Sequence, residues 1–244
     1  PQTTWISPTV AESIDRVLSS VRSYLGMDVA FVSEFSGQHR VFRNVDSARD
    51  GAPMKVGGVI PLAEGYCQMV VDGRLPEIIP NTANLAAARV IPETTSIPIG
   101  SHLSVPIRLK AGRVFGTFCC FSYLPAPGLE KRDLELVRTF AQLVARQIDM
   151  EIERDLVRQA KVERIRAAVG AGDPQIVYQP ICRLADGRMA SVEALSRFSS
   201  EPSQPPDKWF AEAAEVGMAE SLELLAVRKA VLECGPLPAD LALN

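Results

Sequence analysis

The sequence has no long apolar run and no excess of basic charge. None of its apolar stretches approaches the roughly 20 residues that cross a bilayer, and residues 1–5 contain no charged segment followed by an apolar one. We therefore expect a cytoplasmic protein with no membrane partner. The formal net charge is -3 and there is no basic cluster, so the chain lacks the charged surface that a nucleic-acid polymer requires.

Cysteine pairs at metal-binding spacing are also missing. The cysteines are dispersed without a CxxC motif, as is typical of a reducing compartment. Neighbouring strand residues point to opposite faces, so Cys119 and Cys120 cannot easily share a metal ion. Cys67 begins a predicted helix, where a lowered pKa is possible, but core packing is favoured. Buried structural thiols are the expected role of all five: Cys67, Cys119, Cys120, Cys182 and Cys234.

The first half of the chain has the pattern of an α+β domain, predicted to cover residues 1–129. With 47% hydrophobic and 23% charged residues, the composition is that of a globular protein of one or two domains. An amphipathic helix is predicted at 9–25, with Thr9 and Glu12 as a capping box. Two antiparallel hairpins follow, and the predicted domain is an antiparallel sheet flanked by helices. The hairpin strands are predicted at 28–35, 41–45, 103–109 and 114–123.

This domain resembles the GAF domain, a small-molecule sensor module. The resemblance implies a pocket on one side of the sheet, bordered by residues 66–101, for an unknown small molecule. Bilin-carrying GAF domains present a cysteine beside a histidine, a pattern absent here, and we assign no cofactor; an ordinary hydrogen bond is expected for His102. The matching stretches are the N-terminal helix, Val29–Val32, Tyr66–Val70, Ile78–Thr82, Ser104–Ile107 and Gly116–Phe118.

A long connecting helix is predicted at 130–169, where glycine and proline are absent. At 1.5 Å per residue, a helix of about 40 residues extends about 60 Å. Its apolar stripe first has the alternating three- and four-residue spacing of a coiled coil. The last members of the stripe then follow by fours, which is the spacing of a stutter. Two interpretations stay open, because the stripe can pack on the GAF sheet or form a homodimer through this helix. The stripe consists of Leu134, Val137, Ala141, Val144 and Ile148, followed by Ile152 and Leu156.

The last segment, residues 170–244, has the order strand, strand, helices, strand. An Asp-Gly turn separates the first two strands, and apolar spacing predicts two helices before the third strand. This order fits the first part of a β/α (TIM-type) barrel, which would be incomplete here. The strands are predicted at 176–181, 189–195 and 240–244, and the helices around Trp209 and Leu222.

Two motifs in this segment resemble the opening of the EAL domain, the bacterial phosphodiesterase domain that hydrolyses cyclic di-GMP. The resemblance implies that an EAL domain is regulated by the GAF sensor. An alternative is a non-catalytic relative that binds cyclic di-GMP or a protein partner; a third interpretation is that the GAF domain alone is functional. The motifs are Tyr178-Gln179-Pro180-Ile181 and Glu193-Ala194-Leu195-Ser196-Arg197, with Pro206, Phe210, Glu215 and Gly217 following in family order.

The EAL resemblance also implies roles for individual residues. Glu193 and Asn244 would bind Mg²⁺ or Mn²⁺ in the complete domain, because hard cations prefer oxygen ligands. Arg197 would contact a substrate phosphate, and Gln179 and Leu195 would line the same pocket. We expect these residues at or near strand ends, where the chemistry of such barrels takes place. No catalytic residue is assigned within 170–244.

The chain as given is expected to show no measurable hydrolysis of cyclic di-GMP, even with excess Mn²⁺. A β/α barrel needs roughly 250 residues, and the segment after Lys161 lacks the later aspartate pair, glutamates and lysine of the family. Chromatography of the reaction products checks this expectation. Turnover by the pure chain that disappears in Glu193→Ala would contradict it.

Overall fold

A computed structural model describes residues 7–49, 51–235 and 240–243. The chain divides between Ile152 and Glu153 into two compact units, and each unit is described by itself. Within the described ranges, no helix is both long and apolar enough to cross a membrane.

The first unit is built on a six-stranded sheet in which all neighbouring strands are antiparallel. The strands are β1 Val29–Ser36, β2 His39–Ser47, β3 Val59–Pro61, β4 Ile78–Ile79, β5 Ser101–Arg108 and β6 Val114–Ser122. Their order across the sheet is β3-β2-β1-β6-β5-β4. Both predicted hairpins are confirmed, and the first turns at Gly37, whose φ of 58° is a left-handed conformation that glycine adopts without strain.

Helices cover both faces of this sheet. They are α1 Pro8–Leu25, α2 Tyr66–Val71, α3 Ala86–Arg89, α4 Pro92–Ser96 and α5 Lys131–Gly170. Two 3-10 turns lie at Leu62–Glu64 and Thr82–Asn84. One apolar core joins α1 and the first part of α5 to the sheet, and a second core joins α2, α3 and the residues that flank α4, Ile91 and Ile97, to the opposite face. The two cores exist because successive strand residues face opposite sides.

The start of α1 differs from the prediction. Thr9 lies inside the helix, and the predicted capping box with Glu12 is not formed. The N-cap residue is Ser7, which makes no capping bond and instead donates its hydroxyl to Glu151 Oε1 at 2.6 Å. Pro8 explains the earlier start, because the fixed φ of proline suits the first helical position.

The long helix is confirmed, because α5 runs without interruption for 40 residues. Its apolar stripe packs inside the first unit: Val137, Val144 and Ile148 are at most 1% exposed in the core beneath α1. Of the two interpretations of this stripe, packing on the sheet is the one that Val144 and Ile148 show. The sheet face needs an apolar cover, and this stripe supplies it.

The second unit contains a small sheet covered by helices. Its strands are β7 Gln175–Cys182, β8 Met189–Arg197 and β9 Asp240–Leu243, and its helices after α5 are α6 Pro206–Glu215 and α7 Ala219–Glu233. The pair β7/β8 is antiparallel and the pair β8/β9 is parallel. A parallel pair requires a crossover, which α6 and α7 provide. Three strands do not close a barrel, so the described residues contain an open sheet.

The core of the second unit centres on Trp209, which is fully buried. Phe198 stacks on its ring with a centroid separation of 5.0 Å and an interplanar angle of 11°. Ile165 of α5 packs in the same cluster, and Arg164 Nη1 lies 2.7 Å from both carboxylate oxygens of Glu212. The last part of α5 is therefore packed on α6.

Asp173 joins the end of α5 to the loop after β8. Its buried carboxylate accepts the backbone N–H groups of Ser199 and Ser200 at 3.0 Å and 2.9 Å and the Ser199 hydroxyl at 3.1 Å. Burial raises the pKa of this carboxyl, but the hydrogen bonds from Ser200 and Ser199 outweigh it and lower the pKa below its ordinary value. The ionised form is therefore the one that stabilises the fold.

Replacing Asp173 with alanine should lower the free energy of unfolding of the second unit by about 1–3 kcal/mol at pH 7, because the backbone N–H groups of Ser199 and Ser200 lose a charged acceptor. A lowered pKa in the folded state makes this contribution complete above the ordinary pKa of aspartate. The contribution is lost as pH falls through the folded value. Urea unfolding followed by Trp209 fluorescence in a Trp5→Phe background measures both effects.

The matched control for this prediction is Asp186→Ala. Asp186 accepts only the exposed backbone N–H of Arg188, at 3.1 Å, and forms a long ion pair with Arg183 at 3.6 Å. Its removal should change stability little. Equal losses in the two variants would show that the buried acceptor has no special role.

Candidate functional site

Six side chains form a buried polar group on the face of the first sheet that α2 covers, and we call this group the Arg40 cluster. They come from five separate elements, namely β2, α2, α4, β5 and β6. None is more than 7% exposed. Such concentration of ionisable groups in an apolar core is typical of functional sites. The members are Arg40, Tyr66, Cys67, Glu93, His102 and Cys119.

Arg40 points inward because of the register of β2. Val32 pairs with Asn44 and Ser33 pairs with Phe42, so Arg43 is an extra residue that forms a β-bulge. The bulge places Phe42 in the core beneath α2, while Asn44 donates to Asp15 Oδ1 of α1 at 2.8 Å. The Arg40 guanidinium lies over two aromatic rings, with centroid distances of 5.7 Å to Phe31 and 5.1 Å to Phe42.

The Arg40 guanidinium is shared between a carboxylate and a thiol. Its Nη2 is ion-paired with Glu93 Oε1, and its Nη1 donates to Cys67 Sγ at 2.7 Å. Burial opposes the charged form, but Cys67 and Glu93 outweigh burial and raise the pKa of Arg40 above its ordinary value. Burial also raises the pKa of Glu93, against the effect of Arg40. The cluster thus holds one permanent cation between two acceptors.

Gly65 makes room for this ion pair. A Cβ atom at Gly65 would lie 2.8 Å from Glu93 Oε2 and 3.0 Å from Arg40 Nη2. The backbone N–H of the next residue, Tyr66, donates to Glu93 Oε2 at 3.2 Å. The glycine is therefore required by close approach and not by its backbone angles.

Two thiols meet beside the guanidinium. Cys67 Sγ lies 3.2 Å from Cys119 Sγ, and Cys119 Sγ also contacts Ser104 Oγ at 2.9 Å and Thr117 Oγ1 at 3.2 Å. Burial raises the pKa of Cys67, but the hydrogen bond with Cys119 and the charge of Arg40 prevail and place it well below its ordinary value. Burial and the hydrogen bond with Cys67 raise the pKa of Cys119 well above its ordinary value.

His102 and Tyr66 complete the cluster. Their rings are 4.5 Å apart, and the Tyr66 hydroxyl lies 2.5 Å from Thr94 Oγ1. A hydrogen bond from His102 also favours the thiolate of Cys67. Among the described residues, His102 Nδ1 and Arg40 Nε are buried without a hydrogen-bond partner. Each of these two atoms could therefore form a hydrogen bond with a small molecule bound in the cluster.

Of the other three cysteines, one is buried as predicted and two are not. Cys120 is buried on the opposite face from Cys119, as predicted, and burial raises its pKa to about 12. Cys182 is exposed and Cys234 is half-buried, so the prediction of a buried structural thiol is wrong for both. Cys182 is the last residue of β7 at the edge of a three-stranded sheet, and Cys234 follows the end of α7.

The predicted EAL residues lie in the second unit, on one face of its sheet. Gln179 is paired with Glu193 across β7 and β8, and Leu195 and Arg197 follow Glu193 at intervals of two on β8. Residues at these positions point to the same side of the sheet. Glu193 and Leu195 are half-buried, while Gln179 and Arg197 are exposed.

The predicted position at strand ends is wrong for Gln179 and Glu193. Both lie within their strands, because the pairing of β7 with β8 continues to Gln175 and Arg197. Arg197 ends β8, and its Nη1 donates to the backbone oxygen of Ser196 at 2.8 Å. Leu195 and Arg197 also line a cleft of about 690 Å³ between β8, α6 and α7.

The metal ligands implied by the EAL resemblance are only partly described. Asn244 lies outside the described residues, so Glu193 is the one implied ligand whose position is known. Within 7–49, 51–235 and 240–243, no three His, Cys, Asp or Glu side chains are placed to hold a metal ion. Glu193 by itself is an incomplete donor set for an Mg²⁺ site.

Sequence reasoning singled out Cys67 and His102 but missed Arg40 and Glu93. The available signal was a charged residue two places before Phe42 in a strand, where an apolar side chain is expected. The partner of Arg40 could not be found in this way, because Glu93 lies 53 residues later in a five-residue helix.

Replacing Arg40 with alanine should reduce the free energy of unfolding of the first unit by about 3–5 kcal/mol, because Glu93 is left buried without its partner. The double variant Arg40→Met/Glu93→Leu should recover much of this loss, since both charges are removed together. Thermal or urea unfolding measures the differences.

The matched control is Arg43→Ala on the same strand. Arg43 pairs with Glu34, and both side chains are about a quarter exposed at 24% and 22%. Loss of such a pair should cost about 0–1 kcal/mol. The interpretation would fail if Arg40→Ala were as mild as this control.

Comparisons with known proteins agree with the fold of the first unit. Curated protein sequences give no match. The phycoerythrobilin-bound GAF domain from a cyanobacterial phytochrome has a TM-score of 0.50 and 13% identity, over 60% of this chain and 88% of that chain. The blue-light absorbing Thermosynechococcus elongatus PixJ GAF domain has a TM-score of 0.49 and 11% identity, over 62% and 92%.

A third structure is the GAF domain from Acinetobacter phosphoenolpyruvate-protein phosphotransferase. It has a TM-score of 0.47 and 17% identity, over 57% of this chain and 81% of that chain. The family model described as GAF domain matches residues 7–149, which is more than half of the sequence. This chain therefore belongs to the GAF domain family.

Proposed function

We propose that this chain is part of a cytoplasmic signalling protein in which the GAF domain regulates an EAL domain that hydrolyses cyclic di-GMP to the linear dinucleotide. A sensory role in signalling follows from the GAF family itself. The observation that carries the rest of the proposal is the common face of Gln179, Glu193, Leu195 and Arg197. In this proposal the GAF domain covers residues 1–129, the connecting helix 130–169 and the EAL segment 170–244.

The common face supports the proposal because a binding site needs its groups on one side of the sheet. The opposite face of β7 and β8 packs against the helices, with Val192 and Ala194 buried and the Tyr178 hydroxyl donating to the backbone oxygen of Ala230 at 2.9 Å. A one-residue change of register would have turned Glu193 and Arg197 toward the helices. Gln179, Glu193 and Arg197 thus lie on the face opposite to the one that packs against the helices.

The chemistry of these side chains suits a phosphodiester. Arg197 keeps its charge at every physiological pH and offers planar donors that match phosphate oxygens. Glu193 is a hard oxygen donor, and a bound Mg²⁺ or Mn²⁺ would activate water and offset the phosphate charge. Within this chain, Arg197 would hold the substrate phosphate, and Leu195 would supply apolar contact beside it.

The topology of the second unit gives further support. The order strand, strand, helices, strand is the one that we expect for the start of a β/α barrel, and β8 and β9 are parallel, as strands of such a barrel are, whereas β7 and β8 are antiparallel. The complete barrel is a proposal that rests on this order. The small-molecule ligand of the GAF domain has no assigned identity.

In a protein that carries the complete EAL domain, Glu193→Gln should lower hydrolysis by orders of magnitude while folding is retained, because the amide is a poorer ligand for a hard cation. Arg197→Ala should weaken both binding and turnover, since the phosphate contact exists before the chemical step. Titration calorimetry and product analysis separate the two effects. Arg188→Ala, in the exposed turn before β8, is the control and should change neither.

The same experiment separates the enzyme from a receptor. If the wild-type protein binds cyclic di-GMP without cleaving it under any divalent metal, the non-catalytic alternative replaces the enzyme. If it does not bind the dinucleotide, the enzyme and the cyclic di-GMP receptor both fail, and a module that binds a protein partner replaces them.

We also propose a homodimer through α5, now on a different face from the buried stripe. Leu143, Met150 and Val157 are 46%, 50% and 57% exposed and recur every seven residues, the spacing of a coiled-coil contact. Leu143→Glu/Met150→Glu should shift the protein toward monomer in light scattering. Gln142→Glu, at a neighbouring exposed position, should not. A wild-type chain that stays monomeric at high concentration would contradict the dimer.

A further inference from the structure

The contact between Cys67 and Cys119 is the feature that the sensory role leaves unexplained. Their sulfur atoms are 3.2 Å apart, on α2 and β6. A disulfide bond is about 2.05 Å long, so a shift of about 1 Å would join them. Cys120, the next residue, faces the other core and has no such neighbour thiol among the described cysteines.

The two thiols have unequal surroundings. Arg40 Nη1 lies 2.7 Å from Cys67 Sγ and provides a fixed positive charge. Cys119 contacts the hydroxyl groups of Ser104 and Thr117. The shifts in pKa agree with this geometry: Cys67 is lowered and Cys119 is raised. One sulfur is therefore prepared as a thiolate nucleophile and the other as a neutral thiol.

We propose that Cys67 and Cys119 are a dithiol that reacts with a small hydroperoxide and closes to a disulfide. The Cys67 thiolate attacks the terminal peroxide oxygen, the O–O bond breaks, and the alkoxide or hydroxide that leaves takes up a proton from solvent. Cys67 is then a sulfenic acid. The Cys119 thiol attacks the Cys67 sulfur, the S–O bond breaks, and its proton leaves in the water that forms. Two electrons pass from the sulfur pair to the peroxide.

The remaining atoms of the Arg40 cluster fit a small polar oxidant. Arg40 Nε and His102 Nδ1 are buried without a protein partner in the described part of the chain. Both atoms can hydrogen-bond peroxide oxygens. Because both thiols are fully buried, only a small oxidant that enters during local opening can reach them. This selects hydrogen peroxide over bulky organic hydroperoxides.

Closure of the disulfide would change the connections of the sensor core. It would tie α2 directly to β6, which lies between β1 and β5 in the sheet. It would also remove the anionic partner of Arg40 on the Cys67 side, leaving Glu93 as the acceptor of the guanidinium. Oxidation would therefore add a covalent link between α2 and β6 and remove a negative charge beside Arg40. Both changes lie on the side of the sheet where the GAF resemblance implies a ligand pocket.

The test is treatment of the whole chain with hydrogen peroxide, followed by digestion without reductant and mass spectrometry. We expect a linked peptide that joins Cys67 to Cys119, formed also in Cys120→Ser. In Cys119→Ser the reaction should stop at a Cys67 sulfenic acid, which dimedone traps when the chain is unfolded in urea after the treatment. Arg40→Met/Glu93→Leu, which removes both charges together, should slow the reaction about tenfold or more at pH 7, because an ordinary thiol is only a few per cent ionised there; Arg43→Met is the matched control and should not.

Exposed Cys182 provides the internal standard for this experiment. If Cys182 is oxidised while Cys67 stays reduced over the same peroxide range, the proposal is overturned. A linkage of Cys67 to Cys182 or Cys234 in place of Cys119 would overturn it as well. The wild-type measurement decides the question even if a variant does not fold.

Discussion

The charge of Arg40 constrains much of the first unit, because a guanidinium in an apolar core must find its counter-charge within the protein. Glu93 and Cys67 provide it from α4 and α2. These short helices lie in the long connection between β3 and β5, where regular strand pairing is limited to the two residues of β4. The ion pair thus holds an otherwise irregular segment against the sheet.

The parts of the fold that follow a regular period could be predicted from sequence. Alternation of apolar residues gave both hairpins and the opposite faces of Cys119 and Cys120, and helical spacing gave α1 and the long α5. Very short elements such as β4 and α4 have no period to detect. The capping box failed because Pro8 provides a competing start signal one position before Thr9.

The candidate site was less accessible to sequence reasoning than the fold. Its central contacts join residues 27 to 53 positions apart, such as Arg40 with Cys67 and with Glu93, and no spacing rule connects them. The stripe on α5 shows a related limit. The same apolar spacing suits a second helix or a sheet, and only the folded chain shows that the sheet face is covered by Val144 and Ile148.

The bulge in β2 has a consequence for how this strand is compared with others. Arg43 is one residue more than its partner strand accommodates, so the faces of β2 exchange at that point. An alignment with a bulge-free strand must therefore contain a one-residue gap at Arg43. Without the gap, every position from Asn44 onward is matched to a residue on the opposite side of the sheet, so residues on the α1 side are compared with residues on the α2 side.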